Sequence, residues 1–245
     1  MPRRQRERPQ GICTYCGHDA ILTDDHVPPN NLFVPGTKGR IKVPACEPCN
    51  TSYKLDDEFF RLAISSGHDP HEAPTGTDVS LEAIAKLAAP EKTGLRTMML
   101  SRMREMEVFT PGGLYLGNEV VMDTDLSRVY RVLRRVLRGL VFHHLGQRLS
   151  PVYEPTVCWF GEIQGDPAEI EQVLAALRGA EARSIGGHVF SYRFVRIGDP
   201  VERSVWYLCF FEHYEFLGFI RHPAWRWLTP DSLRARRLLS QQLPE

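Results

Sequence analysis

Residues 11–57 read GICTYCGHDAILTDDHVPPNNLFVPGTKGRIKVPACEPCNTSYKLDD. Two cysteine pairs, Cys13-x2-Cys16 and Cys46-x2-Cys49, frame the stretch. This ligand type at this spacing matches a structural tetrahedral zinc site, with each pair on a tight turn. The competing readings are two disulfides or four unrelated core cysteines. Disulfides fit poorly, because residues 1–10, MPRRQRERPQ, are basic and lack the apolar run of a secretion signal, which suits a cytoplasmic protein. Unrelated core cysteines fit worse, since Tyr15, Gly17, Glu47 and Pro48 beside them are turn or surface residue types.

The loop between the pairs carries a polar Asp25-His26 step in TDDHVPPNNLF, residues 23–33, and leads back through RIKVPAC, residues 40–46. After Cys49, the run NTSYKLDDEFFRLAIS places apolar Phe59, Leu62 and Ala63 at helical spacing, with Asn50 or Thr51 able to cap the helix start. A hairpin followed by a helix, pinned at both ends by zinc, brings Asp25, His26 and Asn50 to one place. Such a place suits a second metal.

These residues resemble the zinc-stapled HNH endonucleases, whose ββα-metal core carries Asp-His on a hairpin and Cys-x2-Cys-(His or Asn) at the start of a helix. The resemblance covers about residues 11–63. It implies that His26 is the general base that activates water, that Asp25 is a carboxylate ligand of a catalytic divalent ion, and that Asn50 is the second protein ligand. It also implies DNA as the substrate. Three features depart from the family pattern: the last letter is Asn50 rather than His, no middle Asn stands near Arg40, Ile41 and Lys42, and Val27-Pro28-Pro29 is stiffer than usual, as in a bacterial subgroup with a His-Val-Pro-Pro segment. Phosphodiester hydrolysis needs a base such as neutral imidazole, and a hard cation such as Mg2+ or Mn2+ that accepts oxygen ligands. A zinc site closed by four thiolates has no open position for that work.

Lys54 and Asp57 follow Asn50 by four and seven residues on nearly the same helix face. Lys54 is placed to meet a phosphate, and Asp57 to orient His26 or add a metal ligand. A solvated helix face is the simpler explanation for both, since charges at this spacing are routine on exposed helices.

The whole chain has 245 residues and a formal net charge of zero, which allows a real core and one or two domains but says nothing of partners. The charge is clustered, however. Residues 1–10 form a basic arm in which Arg3 and Arg4 can follow a phosphate backbone, or simply solubilise the terminus. No apolar stretch is long enough to span a membrane. Residues 66–78, rich in Gly, Pro, Ser and Thr, read as a linker in which His68 and His71 are incidental.

The region 79–150 reads as helical: 79–87, 92–106 and, most strongly, 125–149, with a turn and a short strand at 119–122 before the last. In that last helix Arg128, Arg131, Arg135 and Arg138 recur at three- and four-residue steps opposite an apolar stripe. The row is a phosphate-binding ridge or a solvated face paired with carboxylates from elsewhere.

Residues 151–245 alternate aromatic and β-branched residues in four strand-like segments, with a capped helix at 166–177, and suggest a small antiparallel α+β unit. Its strand aromatics, including Tyr192 and Trp206, read as core. The basic aromatic tail, residues 221–236, has no assigned purpose, and this C-terminal region is where a second copy or another protein would dock.

The expected architecture is therefore α+β: an N-terminal zinc-bound ββα-metal module over 11–65, central helices, and the C-terminal antiparallel unit. The expected activity is that of a metal-dependent HNH-type endonuclease with structural Zn2+ and catalytic Mg2+ or Mn2+. Two other readings stand beside it: a nucleic-acid-binding zinc module without catalysis, and a partner-binding protein that zinc merely stabilises.

Overall fold

Alternation along β2 (Asp19–Val27) and β3 (Ile41–Cys46) sets one face of an antiparallel hairpin inward. Asp25 pairs with Val43 and Val27 with Ile41, and all four side chains are buried, whereas Asp24 and Lys42 on the other face are exposed. The short strand β1 (Gln10–Ile12) adds to β2 and completes a three-stranded sheet. Pro28 and Pro29 end β2, since neither has an amide proton to donate. The computed structural model describes residues 9–66, 74–150, 152–163, 166–197 and 203–221.

Two helices follow β3 directly, the short α1 (Glu47–Thr51) and α2 (Lys54–Ser65). Phe59, Phe60, Leu62, Ala63 and Ile64 of α2 are buried, so its apolar face looks inward as the spacing predicts. The helix α3 (Pro74–Lys86) begins inside the stretch read as a linker; residues 67–73, with His68 and His71, lie outside the described residues.

The region expected to be helical over 92–106 differs. The helix α4 (Thr93–Leu100) stops early, and β4 (Met103–Phe109) pairs with β5 (Tyr115–Met122) as a hairpin. Methionine and glutamate favour helices locally. The Thr110–Gly113 turn overrides them, closed by a Gly113 N–H to Thr110 O bond, with Gly113 at φ +85°.

The helix α5 (Leu126–Leu145) is the axis of the fold. It ends before residue 149 because Gly146 adopts a left-handed conformation and donates to Phe142 O. Val129, Val132, Leu133, Val136, Leu137, Leu140 and Val141 are all buried, each contributing roughly 1.5–3 kcal/mol relative to exposure.

On its far side lies a five-stranded antiparallel sheet in the order β6 (Glu154–Trp159), β10 (Tyr214–Arg221), β9 (Ser204–Phe210), β8 (Phe190–Arg196), β7 (Arg183–Ile185). The helix α6 (Pro167–Gly179), capped by Asp166 Oδ1, links β6 to β7. Tyr192 and Trp206 are buried in this sheet's core, and residues 222–245, with the basic aromatic tail, lie outside the described residues.

Two glycines mark how closely α5 is gripped. A Cβ on Gly139 would meet Val27 Cγ2 of β2 at 2.4 Å, and one on Gly218 of β10 would meet Leu137 Cδ1 of α5 at 2.6 Å. One continuous apolar core accordingly runs from the N-terminal hairpin through α2 and α5 into the C-terminal sheet.

Candidate functional site

The turn after β1 carries Cys13 and Cys16, and the junction of β3 with α1 carries Cys46 and Cys49. Backbone bonds lock the first knuckle: Gly17 N–H donates to Cys13 O, and Thr14 N–H donates to Pro44 O, which ties the two knuckles together. The ligand atoms of all four cysteines lie within 4.8 Å of one another. The cluster can hold a metal ion such as zinc. Burial pushes the Cys13 thiol up, but backbone N–H groups of Cys16, Cys46 and Tyr15 outweigh it and bring it down to about 7. Cys49 moves the other way, raised by burial and by its neighbouring thiols. Four sulfurs this close cannot all ionise without a cation among them, a role that a metal such as zinc would fill.

Beside the cluster opens a cleft of about 480 Å3 lined by Asp25, His26, Asn50, Lys54, Asp57 and Arg135, with Asn31 and Arg61 also on its walls. The six come from β2, α1, α2 and α5. Successive strand residues face opposite ways, so Asp25 lies on the α5 side with Val27, while His26 lies with Lys42 and stays half-buried. Burial lowers the His26 pKa, and the Arg40 and Lys42 cations lower it further, against the pull of Asp25 and Asp24. Both effects favour the neutral form of the imidazole.

Asn50 is oriented by its network. Its Nδ2 donates to Thr23 Oγ1 at 2.8 Å and to Asp24 O at 3.2 Å, and the Thr23 hydroxyl is itself committed as a donor to Ala45 O. The amide nitrogen is thus the bonded end, and the carbonyl Oδ1 is the end left for a ligand. Asp25 is engaged through Oδ2: the Tyr15 hydroxyl donates to it at 2.6 Å, and Arg135 Nε lies 3.7 Å away. Asp57 accepts from Arg135 Nη2 on both oxygens, at 3.0 and 2.9 Å, yet burial pushes its pKa up to about 6. Among the described residues, the four cysteines form the one group of three or more His, Cys, Asp and Glu drawn together as potential ligands. Any ion in the cleft would rely on amide oxygen as well as carboxylate.

No family model, no characterised protein and no solved structure matches this chain.

The arginine row does not form a free ridge. Arg128 Nε donates to Asp56 Oδ1 at 2.7 Å, Arg131 Nη1 donates to Asp56 Oδ2 at 3.0 Å, and Arg135 is buried against Asp57. Arg138 is half-buried, and burial lowers its pKa. The carboxylates missing from α5 itself are supplied by α2, which packs across it. Arg3 and Arg4 lie outside the described residues.

Three contributors escaped the sequence reading. Tyr15 sits between two cysteines of the cluster and looks like turn filler, yet its hydroxyl reaches Asp25. Asn31, four residues before the Pro35-Gly36 turn, donates through Nδ2 to Asp57 O at 2.9 Å, while its Oδ1 is buried without a protein partner. It places an amide in the cleft where none was expected near residues 40–42. Arg61, on the inward face of α2, bonds Val79 O and Glu82 of α3. The only signal for these was polarity at positions expected to pack or turn.

Proposed function

We propose that this protein is a metal-dependent endonuclease of the HNH type that hydrolyses DNA phosphodiester bonds. One observation carries the reading: Asp25, His26 and Asn50 line a single cleft beside the cysteine cluster, with the Asn50 amide turned so that its carbonyl oxygen is the uncommitted end. Asp25 and Asn50 offer one carboxylate and one amide oxygen, the donor set a hard cation accepts while keeping its waters. Mg2+ or Mn2+, when bound by these two, supplies positive charge to the phosphate oxygens.

The protein's own groups do the rest. The neutral His26 ring takes a proton from water, the water oxygen forms a bond to phosphorus, and the bond from phosphorus to the leaving oxygen breaks. Lys54, exposed at the rim of the cleft, meets a phosphate of the bound strand. Zinc in the cysteine cluster keeps β3 and α1 in register with the knuckle that carries Tyr15, and takes no part in the chemistry.

The test is cleavage of supercoiled plasmid and single-stranded DNA with Mg2+ or Mn2+, comparing wild type with His26→Ala. Cleavage by the wild type that the variant lacks supports the nuclease. Salt-dependent DNA binding without cleavage would replace it with a non-catalytic binding module, a second reading favoured because, among the described residues, no group of three or more His, Cys, Asp and Glu gathers in the cleft.

A further inference from the structure

Arg135 is an unusual residue for the middle of α5. Its side chain is 3% exposed, and it is surrounded by acidic and aromatic groups of the N-terminal region. Nη2 donates to both oxygens of Asp57, Nε approaches Asp25 Oδ2 at 3.7 Å, and the guanidinium carbon stacks 4.6 Å over the Tyr53 ring. The opposite side of Asp25 Oδ2 is held by the Tyr15 hydroxyl, whose residue lies between two ligands of the cysteine cluster. Asp25 is therefore clamped between the metal knuckle and α5.

The placement follows from simple geometry. Asp25 and Val27, two apart on β2, share a face; Arg135 and Gly139, four apart on α5, share another. Val27 packs on Gly139, where a Cβ would meet it at 2.4 Å, and that contact sets Arg135 opposite Asp25.

We propose that Arg135 is a positioning residue of the cleft, fixing Asp25 and Asp57 for cation binding, so that the site is completed by α5 and not by the N-terminal hairpin and helices alone. This rests on the nuclease reading for its purpose, though not for its geometry. A guanidinium buried only for stability is expected to close all its donors. Here Nη1 is buried with no protein partner, while the residue lines the cleft. The guanidinium thus holds two carboxylates of the cleft while keeping one donor that no protein group uses. Groups that orient a metal-ligating carboxylate typically alter metal affinity or activity about 10- to 100-fold when changed.

The experiment uses the full-length, zinc-loaded protein with Arg135→Lys and Tyr15→Phe. Lysine keeps the charge but cannot span two carboxylates, so a change reports geometry and not net charge. Mn2+ binding is measured by calorimetry, alongside the zinc-to-protein ratio, thermal melting and plasmid cleavage as a function of Mg2+ concentration. The expected result is unchanged zinc content and cooperative melting, with Mn2+ binding weaker by about 10-fold in each variant and a matching rise in the Mg2+ needed for half-maximal cleavage.

Unchanged Mn2+ affinity in Arg135→Lys, with only a lower melting temperature, overturns the proposal and leaves the nuclease reading intact if the wild type cuts. Loss of zinc or of cooperative melting in Arg135→Lys makes the residue a folding element and also overturns it. A wild type whose Mn2+ binding depends on Arg135 but which cuts no DNA upholds the positioning role and sinks the nuclease. No Mn2+ binding beyond the cysteine cluster sinks both.

Discussion

The cysteine cluster draws on two short segments, and in each pair a single turn brings ligands three residues apart to one side of the chain. The cleft beside it takes its walls from β2, α1, α2 and α5, and its innermost ion pair joins Asp57 to an arginine 78 residues further on. The first kind of site is written in local spacing. The second exists only once the apolar face of α5 has packed against the hairpin on one side and the five-stranded sheet on the other. Metal affinity should therefore respond to local changes in the first and to distant packing changes in the second.

Removing a cluster ligand gives the largest expected effect. Cys46→Ser should abolish stoichiometric zinc retention, measured by atomic emission, and remove most of the cooperative melting transition, since zinc held by such a site is worth about 10–16 kcal/mol in small zinc modules. Retained zinc would mean that three thiolates suffice and that the knuckles are set by the protein core.

Within the cleft, His26→Ala should reduce plasmid cleavage by about 10^2- to 10^4-fold, the usual contribution of a general base, with little change in chemical denaturation because the ring is only half-buried. Equal rates in variant and wild type would remove His26 from the chemistry.

The dependence of the cleft on packing is sharpened by Gly139→Ala. Its Cβ would lie 2.4 Å from Val27 Cγ2 and push β2 away from α5, at a cost of about 1–3 kcal/mol in urea denaturation, with weaker Mn2+ binding although no cleft residue has been touched. Loss of stability with unchanged Mn2+ affinity would show that the cleft tolerates a shift of α5.

The smallest effect concerns the far end of α5. His144 lies against Tyr192, Phe194 and Trp206, and its pKa is pushed down to about 4 by burial, then by His143, Arg183 and Arg196, with Glu181 opposing. The unfolded chain takes up this proton near pH 6.5, before the folded protein does, so stability should fall as pH drops from about 6.5 towards 4. Melting temperatures of wild type and His144→Gln across that window should differ in slope. Identical slopes would assign the acid sensitivity elsewhere, with the cluster thiols as the next groups to examine; Asp57, raised to about 6 by burial, takes up its proton in the folded state first and acts in the opposite direction.

Much of the fold could be read directly. The hairpin and helix around the cysteines, the long amphipathic helix, and the strands at Phe190–Arg196 and Ser204–Phe210 follow patterns of period 2 or 3.6 that burial enforces. The first strand of the hairpin at Met103–Met122 was hidden because Met103, Glu105, Met106 and Glu107 favour a helix locally, and pairing with the strand after the turn decided otherwise. In the cleft, Asp25, His26 and Asn50 announced themselves by type and spacing, while Tyr15, Asn31 and the true orientation of Arg135 did not. An arginine at regular helical steps reads as solvent-facing until the chain that covers it is known.

Residue order alone settled the spacing of the cysteine knuckles, the inward face of α2 and the helical character of α5, because each depends on contacts within a few residues. Only the tertiary structure decided that Asp56 and Asp57 would pair with Arg128, Arg131 and Arg135, that Val27 would seat on Gly139, and that Asp25 would be gripped from two sides. Those outcomes depend on which surfaces meet when a single core closes over elements far apart in the chain. Side-chain chemistry is local, but the partner a buried charge finds is set by packing.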